Sequence, residues 1–387
     1  MDFSFTEEEE RFRQEVREFL HLEVTEELIA ETEANVGFGP QTWAFMKKLG
    51  AKGWLAPALP KEYGGMGANH TQRLILTDEL LYHRAVPITL CAANIVAPTL
   101  MLYGNDEQQR EYLPRIACGE IEFALGYSEP NAGSDLAALE IAAVEDGDDF
   151  LLKGHKIFNT GTHYAHYVWM AARTDPSLPK HKGISLLIVD AKSPGISIRP
   201  LWTMDGERTN EVFYENVRVP RKNLVGEKNR GFYYIATALA FERNFPIGLI
   251  RRTFEELVDY ARETTRLSKA LIKDPLVRQD LAQLKVEIEV AHLLSYRVAW
   301  MTDKKIVPEW EAPMIKLFGT ELMHRLGNTG IQIMGLYGML EEPSKWVPLK
   351  GRIEHIYRHA SRRTISAGTS EIMRNTIALR GLRLPRS

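Results

Sequence analysis

The chain has 387 residues, 44% of them apolar and 26% charged, enough to bury a large core in two or three structural units at about 150 residues each. Its 48 Lys and Arg stand against 51 Asp and Glu, a formal charge of −3, so nothing electrostatic points to nucleic acid or a membrane surface. Two cysteines, Cys91 and Cys118, exclude a disulfide framework or a Cys-rich zinc site.

The opening MDFSFTEEEERFRQ is acidic where a signal or transit peptide would be basic. No apolar run approaches the ~18 residues that a membrane helix needs. A soluble, reducing, cytoplasmic setting is therefore expected, without membrane insertion. Thr6 and Glu9 form a capping box that starts a helix, and Phe12, Val16, Phe19 and Leu20 follow at helical spacing. PALPKEYGGMGA (57–68) is a Pro/Gly-rich loop, and YGND (103–106) precedes a short helix over EQQREYLPRIACGE.

From about Phe123 the pattern changes to strand-length runs with turns between them: FLLKGHKIFN, YVWMAART, GISLLIVDA, GISIRPLW and EVFYENVRV. After about Gly231 helices return. Asp274 is placed as an N-cap with Pro275 at N1. Val277, Leu281, Leu284, Ile288, Ala291 and Val298 then share one face, as expected of bundle core. A second long helix is predicted from Trp310 to Gly335. The fold class is thus mainly α with a central β domain, with units at 1–121, 122–228 and 229–387.

Four segments offer chemistry. YSEPNAGSDL (127–136) crowds hydroxyl, amide and carboxylate groups around Gly133. Such a loop suits a phosphate or a heteroaromatic ring, although composition alone favours an ordinary turn. KIFNTGTHYAHY (156–167) is a strand ending in a polar turn. FERN (241–244) places Glu242 beside Arg243, so on a helix they would serve different partners; solvated surface is the commoner use. TISAGTSEIMRN (364–375) is a small-residue turn where Thr369 or Ser370 would cap a helix.

The order of these segments resembles the acyl-CoA dehydrogenase family from residue 2 to about 385. SEPNAGSD (128–135), KIFNTG (156–161), QIMGLYG (332–338) and GTSEI (368–372) match its motifs in sequence, and YGNDEQQREYLPRIACGE (103–120) resembles its helix ahead of the β domain. The resemblance implies an N-terminal helical domain, a middle β-barrel-like domain and a C-terminal four-helix bundle. It also implies a bound FAD, a homotetramer built as a dimer of dimers, an acyl-CoA substrate, and electron-transfer flavoprotein as acceptor. Carried over by residue, Tyr127 and Ser128 would meet the flavin ring. Phe158, where many members have Trp, would lie beside it, and Thr160 near N5. Ser134 would touch the CoA or flavin phosphate arm. Gln332 and Gly335 would contact a neighbouring subunit's FAD, Thr369 and Glu371 its adenosine-diphosphate portion. Arg243 would meet CoA, and Cys91 would align with the far wall of the acyl pocket, where a small buried apolar residue is the plainer reading.

Two departures from the family pattern matter. Many members carry a catalytic Glu immediately before the terminal GT, where this chain has Ala367. The family's other solution places it just before the Arg, which here is Glu242. RETTRLSKAL (262–271) replaces an Arg-x-x-Phe-Gly motif, with Arg266 a candidate substitute. The implied reaction is α,β-dehydrogenation: Glu242 takes the α proton, and the β hydrogen moves as hydride to flavin N5. The backbone N–H of Ala367, which survives loss of the side chain, would face the thioester oxygen. Ser366 and Ala367 leave room that suggests a branched or cyclic acyl group. A non-catalytic partner subunit and an enoyl-CoA reductase are the alternatives.

Overall fold

In the computed structural model, residues 4–34, 38–85, 90–241 and 245–385 are described. The N-terminal part carries α1 (Glu7–Glu23), α2 (Glu26–Glu33), α3 (Pro40–Ala51), α4 (His70–Tyr82), α5 (Ala97–Tyr103) and α6 (Asp106–Ala117). Strands follow: β1 (Phe123–Gly126), β2 (Ala142–Asp146), β3 (Asp149–Lys156), β4 (Tyr167–Arg173), β5 (Ile184–Asp190), β6 (Ile196–Trp202), β7 (Arg208–Pro220) and β8 (Leu224–Val225). The remainder comprises α7 (Gly231–Phe241), α8 (Gly248–Glu263), a hairpin of β9 (Thr265–Arg266) and β10 (Lys269–Ala270), then α9 (Pro275–Asp303), α10 (Glu311–Met334), α11 (Arg352–Arg363) and α12 (Ser370–Thr376). No helix among the described residues is long and apolar enough to cross a membrane.

The chain divides into two compact units. One comprises Met1–Val24, His70–Ala85 and Arg243–Ser387; the other comprises Thr25–Asn69 and Val86–Glu242. In the first, α1 starts at the Thr6/Glu9 capping box and buries Phe12, Val16 and Leu20. Asp274 caps α9 by accepting the Leu276 N–H, and Val277, Leu281, Leu284, Ile288, Ala291 and Val298 face the core, with Ser295 among them. Each such large apolar side chain contributes roughly 1.5–3 kcal/mol by leaving water. On α10, Gly327 permits close approach of α11: a Cβ there would stand 2.8 Å from the Tyr357 Cα.

In the second unit the strands form one sheet in the order β6-β7-β3-β2-β4-β5-β8, with β1 parallel to β4. β4 and β5 are buried along nearly their whole length. That gives continuous apolar runs where a half-exposed strand would alternate. β7 runs 13 residues and pairs with both β3 and β6. These long strands carry the ends of β1 and β3 to one place, where two polar loops begin.

Candidate active site

In the sheet-bearing unit, the loop after β1 and the loop after β3 are tied together. Ile157 N–H donates to the Ser128 carbonyl at 3.0 Å. Fully buried Lys156 places its Nζ 2.8 Å from the Tyr127 carbonyl and 2.9 Å from Glu129 Oε1. The Glu129 carboxylate also accepts the backbone N–H groups of Glu140, at 2.6 Å, and Ile141, at 3.0 Å. Burial is the largest influence on Lys156, lowering its pKa to about 8 against the opposing pull of Glu129. The Glu and Lys of the two motifs are therefore the brace between the loops. Two complementary charges in adjacent polar segments were the available signal for them.

The brace ties the segment of Tyr127 and Ser128 to the strand end that leads into Phe158 and Thr160. Phe158 has φ +59° and is 58% exposed, an uncommon backbone state for a bulky residue. Thr160 Oγ1 lies 3.0 Å from Thr209 Oγ1. Ser134 is exposed, and Gly133 beside it has open space where a Cβ would stand. Cys91 is partly buried at the head of the helical run into α5. The next N–H, of Ala92, is held at 2.6 Å by Glu122 Oε1. Sequence patterning missed Glu122: it is 2% exposed, and burial raises its pKa to about 7 although the N–H groups of Ala92 and Phe123 favour its charge. It also contributes to raising the Tyr164 phenol, which burial pushes well up.

In the helical unit, the loop between α11 and α12 is pinned by buried Lys316, whose Nζ donates to the carbonyls of Gly368 at 2.5 Å and Arg363 at 3.2 Å. Ala367 and Gly368 adopt φ of +54° and +97°. A left-handed alanine stores strain that only a fixed surround maintains. Ser366 N–H bonds the Arg362 carbonyl, and Thr369 caps α12 by accepting the Ile372 N–H. Glu371 is exposed in the first turn of α12, where hydrogen bonds to the Glu371 N–H and Thr369 hold its pKa below the usual value. At the far end of α10, Arg266 donates to the Ile333 carbonyl at 2.8 Å, and its Nη2 lies 3.9 Å from where a Cβ of Gly335 would stand. Gln332 is exposed on the last turn of the same helix. Glu242 and Arg243 lie outside the described residues.

The donors fit a flavin dinucleotide. Exposed Phe158 offers an aromatic face and half-buried Ser128 and Thr160 offer hydroxyls, whereas Tyr127 is buried beside them in the sequence. The buried Ser370 Oγ, at the start of α12, has no hydrogen-bond partner among the described residues. A helical N-terminal part, a sheet ending in two braced polar loops and a helical C-terminal part with this turn are the arrangement that the resemblance to flavin-dependent acyl-CoA dehydrogenases implies.

Family comparison narrows this class. The chain matches the acyl-CoA dehydrogenase N-terminal domain over residues 6–120, the middle domain over 124–217 and the C-terminal domain over 229–382. It belongs to the acyl-CoA dehydrogenase family and is an FAD-dependent oxidoreductase. It is 36% identical to the acyl-CoA dehydrogenase FadE26 of Mycobacterium tuberculosis, with 100% of each chain covered. Among solved structures, the Tcur3481-Tcur3483 steroid ACAD is 37% identical with a TM-score of 0.92, and 100% of each chain is covered. The ChsE4-ChsE5 complex from Mycobacterium tuberculosis is also 37% identical, with a TM-score of 0.92 and 100% of each chain covered.

Proposed function

We propose that this acyl-CoA dehydrogenase acts on a thioester with a ring-bearing or branched acyl group, and that Glu242 is its base. The observation that carries the assignment is Ala367. The position before the terminal GT, acidic in many members, here bears a methyl group that cannot take a proton. Glu242, immediately before the family's Arg position, is the remaining candidate. Steroid dehydrogenases among the similar solved structures, together with the small Ser366 and Ala367, support a cyclic acyl group.

In this reading the α C–H bond breaks and its proton passes to the Glu242 carboxylate. FAD, when bound, supplies the acceptor for the β hydrogen and its bonding pair, and the α–β bond becomes a double bond. Tyr127, Ser128, Phe158 and Thr160 would hold the ring system, and Ser134 and Arg243 would hold the phosphate-bearing arm and CoA. Ala367 N–H stabilises charge on the thioester oxygen as the α carbon loses its proton. Cys91 and Ser366 are the residues that would meet the acyl group. Thr369 and Glu371 would hold the adenosine-diphosphate portion of the cofactor, and a dry pocket would bring the base towards neutrality, where it accepts protons effectively.

Replacing Glu242→Gln should lower kcat by at least ~10²-fold while flavin is retained. Turnover close to that of the unmodified enzyme would contradict the assignment. For assembly, similar solved structures are described as pairs of different chains, which favours a second, related chain over the homotetramer. Arg266, Gln332 and Gly335 would then meet the cofactor across that interface. A native mass containing only this chain, with full flavin occupancy, would restore the homotetramer.

A further inference from the structure

Within the sheet-bearing unit, α3, the turn after α6 and the segment leading into β4 enclose an open cavity of about 340 Å³. It is lined by Trp43, Lys47, Gly119, Glu120, Tyr164 and His166, none of them a residue assigned to the flavin or the thioester. The rings are set against one another. Trp43 meets His166 edge to face with centroids 5.7 Å apart. Phe38 stacks on Tyr164 at 4.3 Å and meets Trp43 edge-on at 5.4 Å. Trp43, Tyr164 and His166 are only half-buried, so three rings held in place still leave aromatic surface in water.

The polar groups of the same cavity differ in what already occupies them. Glu122 N–H donates to His166 Nδ1 at 3.3 Å, which puts the proton of the neutral imidazole on Nε2. Burial is the largest influence on His166 and lowers its pKa, helped by Lys192 and Arg115 and opposed by Glu120 and Asp190. The neutral ring is thus the form present at pH 7, and its Nε2–H has no hydrogen-bond partner among the described residues. Glu120 is taken by Arg115, whose Nε lies 2.7 Å from its carboxylate. Exposed Lys47 has neither an ion pair nor a hydrogen bond among the described residues. Aromatic walls alone would also suit a quaternary ammonium. Here, however, the one carboxylate is already neutralised by Arg115, and the Lys47 ammonium would repel such a guest.

We propose that this cavity is a binding site for a planar aromatic carboxylate, its ring against Trp43 and Tyr164 and its carboxylate accepting from Lys47 Nζ and His166 Nε2–H. Covering the half-wet rings supplies the apolar part of the affinity, and a charge-assisted hydrogen bond to Lys47 selects the acid. The site stands whether or not Glu242 is the base.

The test titrates the flavin-loaded enzyme, as purified, with naphthoate in a calorimeter. One site per chain with a Kd of about 0.1–1 mM is expected for a ligand of this size. Naphthylmethanol, with the same rings and no charge, should bind about 10-fold more weakly. The saturated decahydronaphthoate, with the same charge and no flat face, should also bind more weakly. Lys47→Met, a change at an exposed position, should weaken naphthoate about 10-fold and remove its advantage over the alcohol. Trp43→Leu should weaken acid and alcohol alike, and Lys47→Met carries the test if that variant does not fold. Equal affinity of the parent and Lys47→Met for naphthoate would overturn the inference. So would no naphthoate binding at all, or tighter binding of benzyltrimethylammonium than of naphthoate.

Discussion

At Glu122, burial and hydrogen bonding act in opposite directions on one carboxylate. Two backbone N–H groups favour its charge, yet burial dominates and raises its pKa to about 7. Between the ordinary value of 4.5 and about 7, the folded state binds more protons than the unfolded one. Glu122 thus favours folding at low pH, and the contribution fades as pH rises through that window, by roughly 3 kcal/mol in all. Glu122→Gln keeps an acceptor and removes the titration. Relative to the parent it should gain stability between pH 5 and pH 8 in urea unfolding. A parallel pH dependence in the two proteins would refute this assignment. Residue-level legibility divides along the same line. Ser128, Phe158, Thr160 and Ala367 sit at motif positions and can be read in order from the sequence. Asp78 and Glu79 resemble surface acids in TDELLY, but Arg13, Arg17 and Arg251 come from distant segments to meet them. No local pattern encodes that meeting.

Helices with one apolar face were the most legible elements, because burial of a stripe and helical periodicity are the same fact seen twice. The Thr6 capping box, the Asp274 start of α9 and its buried stripe all lie where the spacing predicts. Short strands were less legible: β1 and β2 have four and five residues, too few for a period to assert itself. The α-helical text after Gly231 proved to be two helices, α7 ending at Phe241 and α8 starting at Gly248. At the start of α8, Gly248 lets α4 approach closely, since the Asp78 carbonyl occupies the space of a side chain. Gly248→Ala should push α8 from α4 and destabilise the chain by about 1–3 kcal/mol or more, measured by denaturant midpoint. An unchanged midpoint would show that α8 moves away without cost. The 262–271 departure is also structural: β9 and β10 form a hairpin through Leu267 and Ser268, both at positive φ. That backbone matches the primed turn required by a two-residue loop, and it leaves Arg266 at the end of α10.

At the scale of the molecule, three ordered domains and their family were legible because several motifs recur at fixed separations along the whole chain. The grouping of α1 and α4 with the C-terminal helices was not, since it depends on contacts between segments far apart in sequence. The reaction itself is open to one direct measurement. The purified, flavin-bearing enzyme is placed under an oxygen-free atmosphere and mixed with straight, branched, dicarboxylic and cyclic acyl-CoA thioesters, while the oxidised flavin absorbance is followed. Rapid bleaching by cyclic or branched thioesters, lost with Glu242→Gln, is the predicted result. Bound flavin that no thioester bleaches, or a chain that refuses FAD with and without its partner, would contradict it.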